Sequence, residues 1–251
     1  MISKRTMTAA LAVLALGAGA AMAAVPANIT AALTDAARPD ADKARDAARK
    51  PGELLALGGV KAGATVTDFM MGGGYFTRIL SPAVGPKGKV YAYQSAEFIG
   101  FRAQYGTDQT KVVGDYKNVS ALTAPVTADG LPAAQDLVLT VQNYHDLHLP
   151  RMPEGAADSV NQQVFKALKP GGVYLIVDHA AAAGAPVADT ANKLHRIDVA
   201  VVKKEVEAAG FKLAAEDKML ANPADDHTVN VFQPAIRGKT DQFVLKFVKP
   251  K

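Results

Sequence analysis

The sequence predicts an α/β protein with a seven-stranded, mostly parallel sheet, helices on both faces and an antiparallel strand pair at its C-terminal edge. Three observations carry this. Apolar β-type runs alternate with helical stretches from residue 53 onward. The runs are continuously apolar, as strands covered on both faces are. The last two runs have no helix between them, so they pair antiparallel.

Taken in order, residues 35–50 (DAARPDADKARDAARK) are charged and alanine-rich and read as exposed helix and cap. Pro51-Gly52 starts a short helix through Leu57, since proline suits a first helical turn. Thr65–Phe69 is a strand, followed by Met70-Met71-Gly72-Gly73-Gly74-Tyr75 and a helix to Val84. Lys89–Gln94 is a second strand, introduced by the Gly85-Pro86-Lys87-Gly88 turn. A helix is expected over Glu97–Tyr105, a short third strand over Lys111–Val113 and a fourth over Asp136–Gln142. The helix Ala156–Leu168 ends at Lys169-Pro170-Gly171-Gly172, and Val173–Val177 is the fifth strand. Ile197–Ala209 is a helix with Val199, Val202 and Val206 on one face. Phe211–Leu220 and Gln242–Val248 are the closing strands, joined by a connection long enough to suggest a lid or functional surface.

The first 23 residues differ from the rest. Lys4-Arg5, an Ala/Leu/Val run and the small-x-small triplet Ala21-Met22-Ala23 have the layout of a secretory signal peptide. Gly17, Gly19 and Pro26 interrupt the run, which speaks against a retained anchor. The expectation is a periplasmic or secreted protein cleaved after Ala23, with a lead over 24–50, one domain over 51–251 and no stable membrane insertion. Of 28 basic and 24 acidic residues, Lys4 and Arg5 fall in that segment, leaving 26 − 24 = +2. Such a balance gives no polyanion-binding surface, so no nucleic-acid partner is expected. The absence of cysteine excludes disulfides, thiolate metal sites and a thiol nucleophile.

In an open α/β sheet, ligands bind beyond the carboxyl ends of the strands. After the first strand, Gly72, Gly73 and Gly74 allow a tight turn and close backbone approach, and the next helix presents its N-terminus to the same place. Thr77 stands where the third glycine of a dinucleotide fingerprint belongs, which opposes a nicotinamide-dependent oxidoreductase, and no P-loop pattern is present. His145 and His148 follow the fourth strand, His179 follows the fifth, His195 precedes a helix, and His227 lies in the last connection. Such rings serve as structural hydrogen-bond partners, as a general base, or as metal ligands. The His145-x-x-His148 spacing with Asp146, Asp178 and His179 is too common a pattern to assign a metal, and none is assigned. Asp198 also suits a helix N-terminus, and Tyr75 suits packing.

With these residues in view, the chain resembles the class I S-adenosylmethionine-dependent methyltransferases, a Rossmann-like fold. Asp68 takes the acidic place of their first motif, and Gly72 and Gly74 take its last two glycines. Met70 stands at its first glycine, and Gln94 stands where an acidic residue receives the ribose hydroxyls. Val112-Val113-Gly114-Asp115 is similar to the segment whose acidic side chain meets the adenine. More narrowly, GGGYFTR (72–78), YHDLH (144–148), VDH (177–179), HRID (195–198), EVEAAGF (205–211) and RGKTDQF (237–243) resemble a subgroup of exported methyltransferases, over about residues 45–250. The resemblance implies S-adenosylmethionine held by Asp68, Gly72, Gly73, Gly74, Gln94 and Asp115. It implies a small-molecule acceptor near Asn143, Tyr144 and Arg196, with His145, His179 or His195 as base. Met70, Gln94 and the export signal keep a second expectation open: the same fold altered to bind another small ligand or a metal.

Overall fold

The computed structural model describes residues 24–251; the expected signal peptide, Met1–Ala23, lies outside the described residues. The described chain begins with four short helices, α1 (Ala27–Leu33), α2 (Asp40–Lys43), α3 (Asp46–Arg49) and α4 (Pro51–Gly58). Then follow β1 (Thr65–Phe69), α5 (Thr77–Val84), β2 (Lys89–Ser95), α6 (Ala96–Phe101), α7 (Gln104–Asp115), β3 (Val119–Ala124) and β4 (Gln135–Val141). After a 3-10 turn at His145–His148 come α8 (Ala156–Ala167), β5 (Leu168–His179), α9 (Val187–Leu194), α10 (Val199–Ala208), β6 (Lys212–Asp217) and β7 (Gln242–Val248). Among the described residues, no helix is long and apolar enough to cross a membrane.

The seven strands form one sheet in the order β3-β2-β1-β4-β5-β7-β6. All neighbours are parallel except the two pairs made by β7, which inserts antiparallel between β5 and β6. The predicted mostly parallel sheet with its antiparallel C-terminal strands is thus present. Strand order reverses beside β1, which pairs with β2 on one side and β4 on the other. That reversal opens a crevice at the carboxyl rim, where α/β proteins place their ligands.

The strand period of two divides the core. Leu137, Leu139, Leu175, Val177 and Val244 face one layer with α1, α4 and α5. Val138, Tyr174, Ile176, Phe243, Leu245 and Phe247 face the other with α8 and α10. Helix starts follow local chemistry. Ser95 Oγ accepts the Phe98 amide at the head of α6, and Asp198 caps α10 by accepting the Ala200 amide at 2.9 Å. Val202 and Val206, one turn apart on α10, are fully buried.

Three expectations need correction. Lys111–Val113 is not a strand but the end of α7, and β3 lies at Val119–Ala124. A β-branched pair favours a strand locally, but Val112 is buried on the sheet-facing side of a 12-residue helix. The helix expected at 97–105 is two, α6 and α7, broken at extended Arg102. The lead is not merely exposed: Arg38 and Asp42 are buried, and Arg38 donates to both oxygens of Asp46.

Gly74 shows how tightly α7 meets the glycine bend. It has φ +83, and a Cβ there would stand 2.6 Å from a Val112 methyl. Gly74→Ala is therefore expected to lower unfolding free energy by about 2–4 kcal/mol, combining left-handed strain with overpacking. Urea denaturation of the two proteins measures this.

Candidate functional site

At the carboxyl rim a cavity of about 450 Å³ is lined by Met70, Gly72, Gln94, Asn143, His145, Asp146, His179 and His195, with Phe98, Phe101 and Phe232 among its walls. A hollow of about 200 Å³ shares Met70, Gly72, Gln142 and Asn143 with it and adds Arg45, Arg49, Asp68 and Gly73. The triglycine bend and three imidazoles therefore frame one crevice. A larger hollow of about 470 Å³ opens at the opposite rim, between the Gly58–Ala64 turn and Lys169–Val173. Its carboxylate, Asp136, is paired with Lys169 at 2.7 Å, and no histidine lines it.

The glycine bend is held from beneath. Asp68 is 4% exposed and accepts the Thr77 hydroxyl at 2.6 Å, fixing the entry into α5. Burial raises its carboxyl to about 6, although bonds from the Thr77 hydroxyl and amide and the charge of Arg49 oppose this. Gln94 is buried, and its Oε1 accepts the Gly72 amide at 3.0 Å. Met70 has φ +54, so it keeps a glycine-like backbone conformation without being glycine. This costs about 1 kcal/mol. Gln142 (φ 62) and His195 (φ 54) are also left-handed and line the same cavity. Half of the six such non-glycine residues described thus surround one crevice, as strain at a functional site does.

The lead closes over the bend. Tyr75 donates its hydroxyl to Asp46 at 2.6 Å, and the guanidinium groups of Arg49 and Arg45 stand 4.4 and 4.8 Å from its ring centre. Arg49 Nε is buried without a hydrogen-bond partner. Burial and the neighbouring Arg45 lower the Arg49 guanidinium below its usual range. The charge density of residues 35–50 hinted at a surface role; nothing local tied it to the bend.

The histidine side is organised by Asp178. This fully buried carboxylate accepts the His145 amide at 2.7 Å, the His179 amide at 2.7 Å and the His145 ring at Nδ1, 2.8 Å away. The other ring nitrogen of His145, Nε2, lies 3.3 Å from His195 Nδ1 and 3.3 Å from Asp146 Oδ1. Desolvation alone would lower the His145 pKa, but Asp178 and Asp146 outweigh it and raise it to about 10. Burial would raise the Asp146 carboxyl, yet His145 and His195 hold it well below the usual range. Desolvation pulls His179 down to about 4, and its Nδ1 meets the Thr240 hydroxyl at 2.7 Å.

Not every expected site residue reaches the crevice. Asp115 is at the C-terminus of α7, paired with Lys111 at 3.1 Å. It was expected just after the third strand, which in fact ends at Ala124 and leads into Pro125 and Val126. Tyr144 is fully buried, held by Asn161 at 2.8 Å and Glu205 at 2.9 Å, so it packs rather than meeting an acceptor. Arg196 is also fully buried; it pairs with both oxygens of Asp225 and donates to the Ala180 and Val229 carbonyls. It ties the long β6–β7 connection to the end of β5 and, with no solvent exposure, presents nothing to an anionic substrate. Gly74 serves packing, as above. His148 turns to Glu205 at 3.2 Å, and His227 to Asp241 at 2.9 Å.

The sheet order, the reversal beside β1 and the glycine bend define the fold of the class I S-adenosylmethionine-dependent methyltransferases. The chain is similar in structure to a SAM-dependent methyltransferase from Aquifex aeolicus, with TM-score 0.58 and 22% identity over 84% of this chain and 95% of that one. A TehB-like SAM-dependent methyltransferase from Corynebacterium glutamicum gives TM-score 0.54 and 14% identity over 84% and 96%. A possible exported protein from Bordetella parapertussis gives TM-score 0.52 and 13% identity over 81% and 68%. No family model matches the sequence, and no curated protein does.

Two outcomes follow for stability. The folded Asp68 pKa of about 6 lies above its ordinary 3.8, so the folded state retains a proton that the unfolded state releases. Stability therefore falls as pH rises from about 4 to 6, by up to about 3 kcal/mol. Asp68→Asn is expected to remove this contribution and gain on the parent over that window in urea titrations at pH 4 and 7. Arg196→Ala leaves Asp225 buried without its partner and is expected to cost about 3–5 kcal/mol, read from the same titrations.

Proposed function

We propose that this chain is an exported S-adenosylmethionine-dependent methyltransferase acting on a small-molecule acceptor. The observation that carries this reading is the single crevice in which the glycine bend, a cationic lead and a histidine cluster meet at the strand reversal. The bend fits such a cofactor. A Cβ placed on Gly72 would meet nothing within 4 Å, so the backbone faces open space. Arg49, with its unpartnered Nε, and Arg45 provide the charge to receive the carboxylate of the cofactor's amino-acid end. Gln94 offers the ribose a neutral amide where a carboxylate is usual. Glu97, at the start of α6, turns its carboxylate to the Val126 amide at 3.2 and 3.3 Å and is not among the residues lining the cavity. Phe98, Phe101 and Tyr105 supply an apolar wall for a base.

When bound, the cofactor would supply an electrophilic methyl group on a sulfonium: the acceptor nucleophile would bond to that carbon in line as the carbon–sulfur bond breaks and the neutral thioether leaves. The chain's own residues hold the two reactants at one rim, and alignment provides most of the acceleration. Asn143 borders both hollows and stands between bend and histidines, where it can orient the acceptor. Of the histidines expected as base, His195 is the one partly exposed at the cavity, and the acceptor's proton leaves to solvent on that side. Phe101 and Phe232 are 60% and 55% exposed at the mouth, and an entering ligand would cover them. Export rests on the layout of residues 1–23.

Calorimetry tests the reading. S-adenosylmethionine and its demethylated product are expected to bind, and Arg49→Ala to weaken both by about tenfold or more. Methylthioadenosine, which lacks the carboxylate, should bind parent and variant equally. No heat from any of the three at millimolar ligand would remove the cofactor reading.

A further inference from the structure

The His145–Asp146–His195 cluster poses a charge problem of its own. Asp178 accepts two backbone amides as well as the His145 ring, so Nδ1 of that ring carries the proton it shares with the carboxylate. The opposite nitrogen, Nε2, then points at two other electron-rich atoms, His195 Nδ1 and Asp146 Oδ1. With His195 as its Nε2–H tautomer, three lone-pair donors converge on one point beside the cavity, and a cation there satisfies all three.

The spacing favours a metal. The three donor atoms stand 3.3, 3.3 and 3.8 Å apart. Ligands on a tetrahedron with bonds of about 2.0–2.1 Å lie about 3.3–3.4 Å from one another. An octahedral shell with the same bonds would need only about 2.8–3.0 Å, so two of the three edges match four-coordination and the third needs a small movement. The surroundings have what such centres require. His145 is oriented through its second ring nitrogen by a buried carboxylate, the usual support for a metal-bound imidazole. Asp146 and His145 are almost wholly buried, while His195 is partly exposed at the cavity. The left-handed backbone of His195, at the end of α9, turns its ring inward against His145 at a centroid distance of 5.4 Å.

We propose that His145 Nε2, Asp146 Oδ1 and His195 Nδ1 form a binding site for one divalent transition-metal ion of the zinc type. Two imidazoles and a carboxylate make a nitrogen/oxygen donor set suited to zinc or cobalt rather than magnesium or calcium. Three protein ligands leave one position open, and the cavity lies on that side. The metal's task rests on the methyl-transfer reading: an acceptor hydroxyl entering the open position loses its proton to water and becomes the oxygen nucleophile. The acceptor class is then a small molecule with a hydroxyl. Metal binding itself does not depend on that reading.

The test uses the untagged full chain, stripped with a chelator and titrated with zinc and, separately, with cobalt in the absence of S-adenosylmethionine. One equivalent of zinc is expected to bind and raise Tm, and cobalt to give the intense visible bands of four-coordination. His195→Ala and Asp146→Asn are each expected to weaken zinc binding by more than about 100-fold, and Asp178→Asn by about 10–100-fold. His227→Ala, outside the cluster, should bind as the parent does. His195 is partly exposed, so its variant is the one expected to fold normally, and circular dichroism verifies this. Absence of stoichiometric uptake, or uptake unchanged in folded His195→Ala, would overturn the site and leave a proton in its place. Zinc uptake without any affinity for S-adenosylmethionine would sustain the metal site while ending the methyltransferase reading; the converse would do the opposite.

Discussion

One buried carboxylate fixes the carboxyl rim of the sheet. Asp178 sits at the end of β5 and gathers both the backbone and the ring of His145 from the turn after β4, together with the His179 amide. A charge with no solvent exposure is tolerated only when hydrogen bonds replace its water, and here three N–H groups do so. The same bonds set the distance between two neighbouring strand ends. They decide which nitrogen of His145 faces the cavity, and every other relation in the cluster follows from that orientation.

The opposite wall depends on a different interaction. The lead wraps the glycine bend through Asp46, which takes Arg38 in a two-point bond and the Tyr75 hydroxyl in a third. The result is a bend roofed by arginines on one side and floored by the Asp68–Thr77 contact on the other. The long connection before β7 completes the enclosure because Arg196 and Asp225 fasten it to the end of β5. A sheet edge that would otherwise be open thus acquires three walls from segments far apart in the chain.

The sequence announced the strands wherever apolar runs were long, as in Leu137–Val141 or Val173–Val177, and with them the rim to which His145, His179 and His195 belong. It also located the glycine bend. It was misleading where a short β-branched pair, Val112-Val113, lay inside a helix, because burial under the bend outweighs local propensity. Asp115 fell out of the site for the same reason. Arg196 and Tyr144 were misassigned because a polar side chain near a strand end looks alike whether it faces a ligand or a buried partner. Asp225 and Asn161, the partners that settle the matter, are 29 and 17 residues away in sequence. The arginine roof was illegible because its target, Tyr75, is reached only through tertiary packing.

At Met70 backbone shape and residue type part company. The torsion angle at that place is the one glycine adopts freely, yet the side chain that occupies it is large and buried among Phe69, Tyr93 and Tyr144 in the same apolar cluster. The backbone takes this shape although the residue that adopts it most freely is absent. Trimming the residue back to hydrogen would relax the main chain and at once hollow out the layer above it. The loop is therefore held by its neighbours rather than by its own composition.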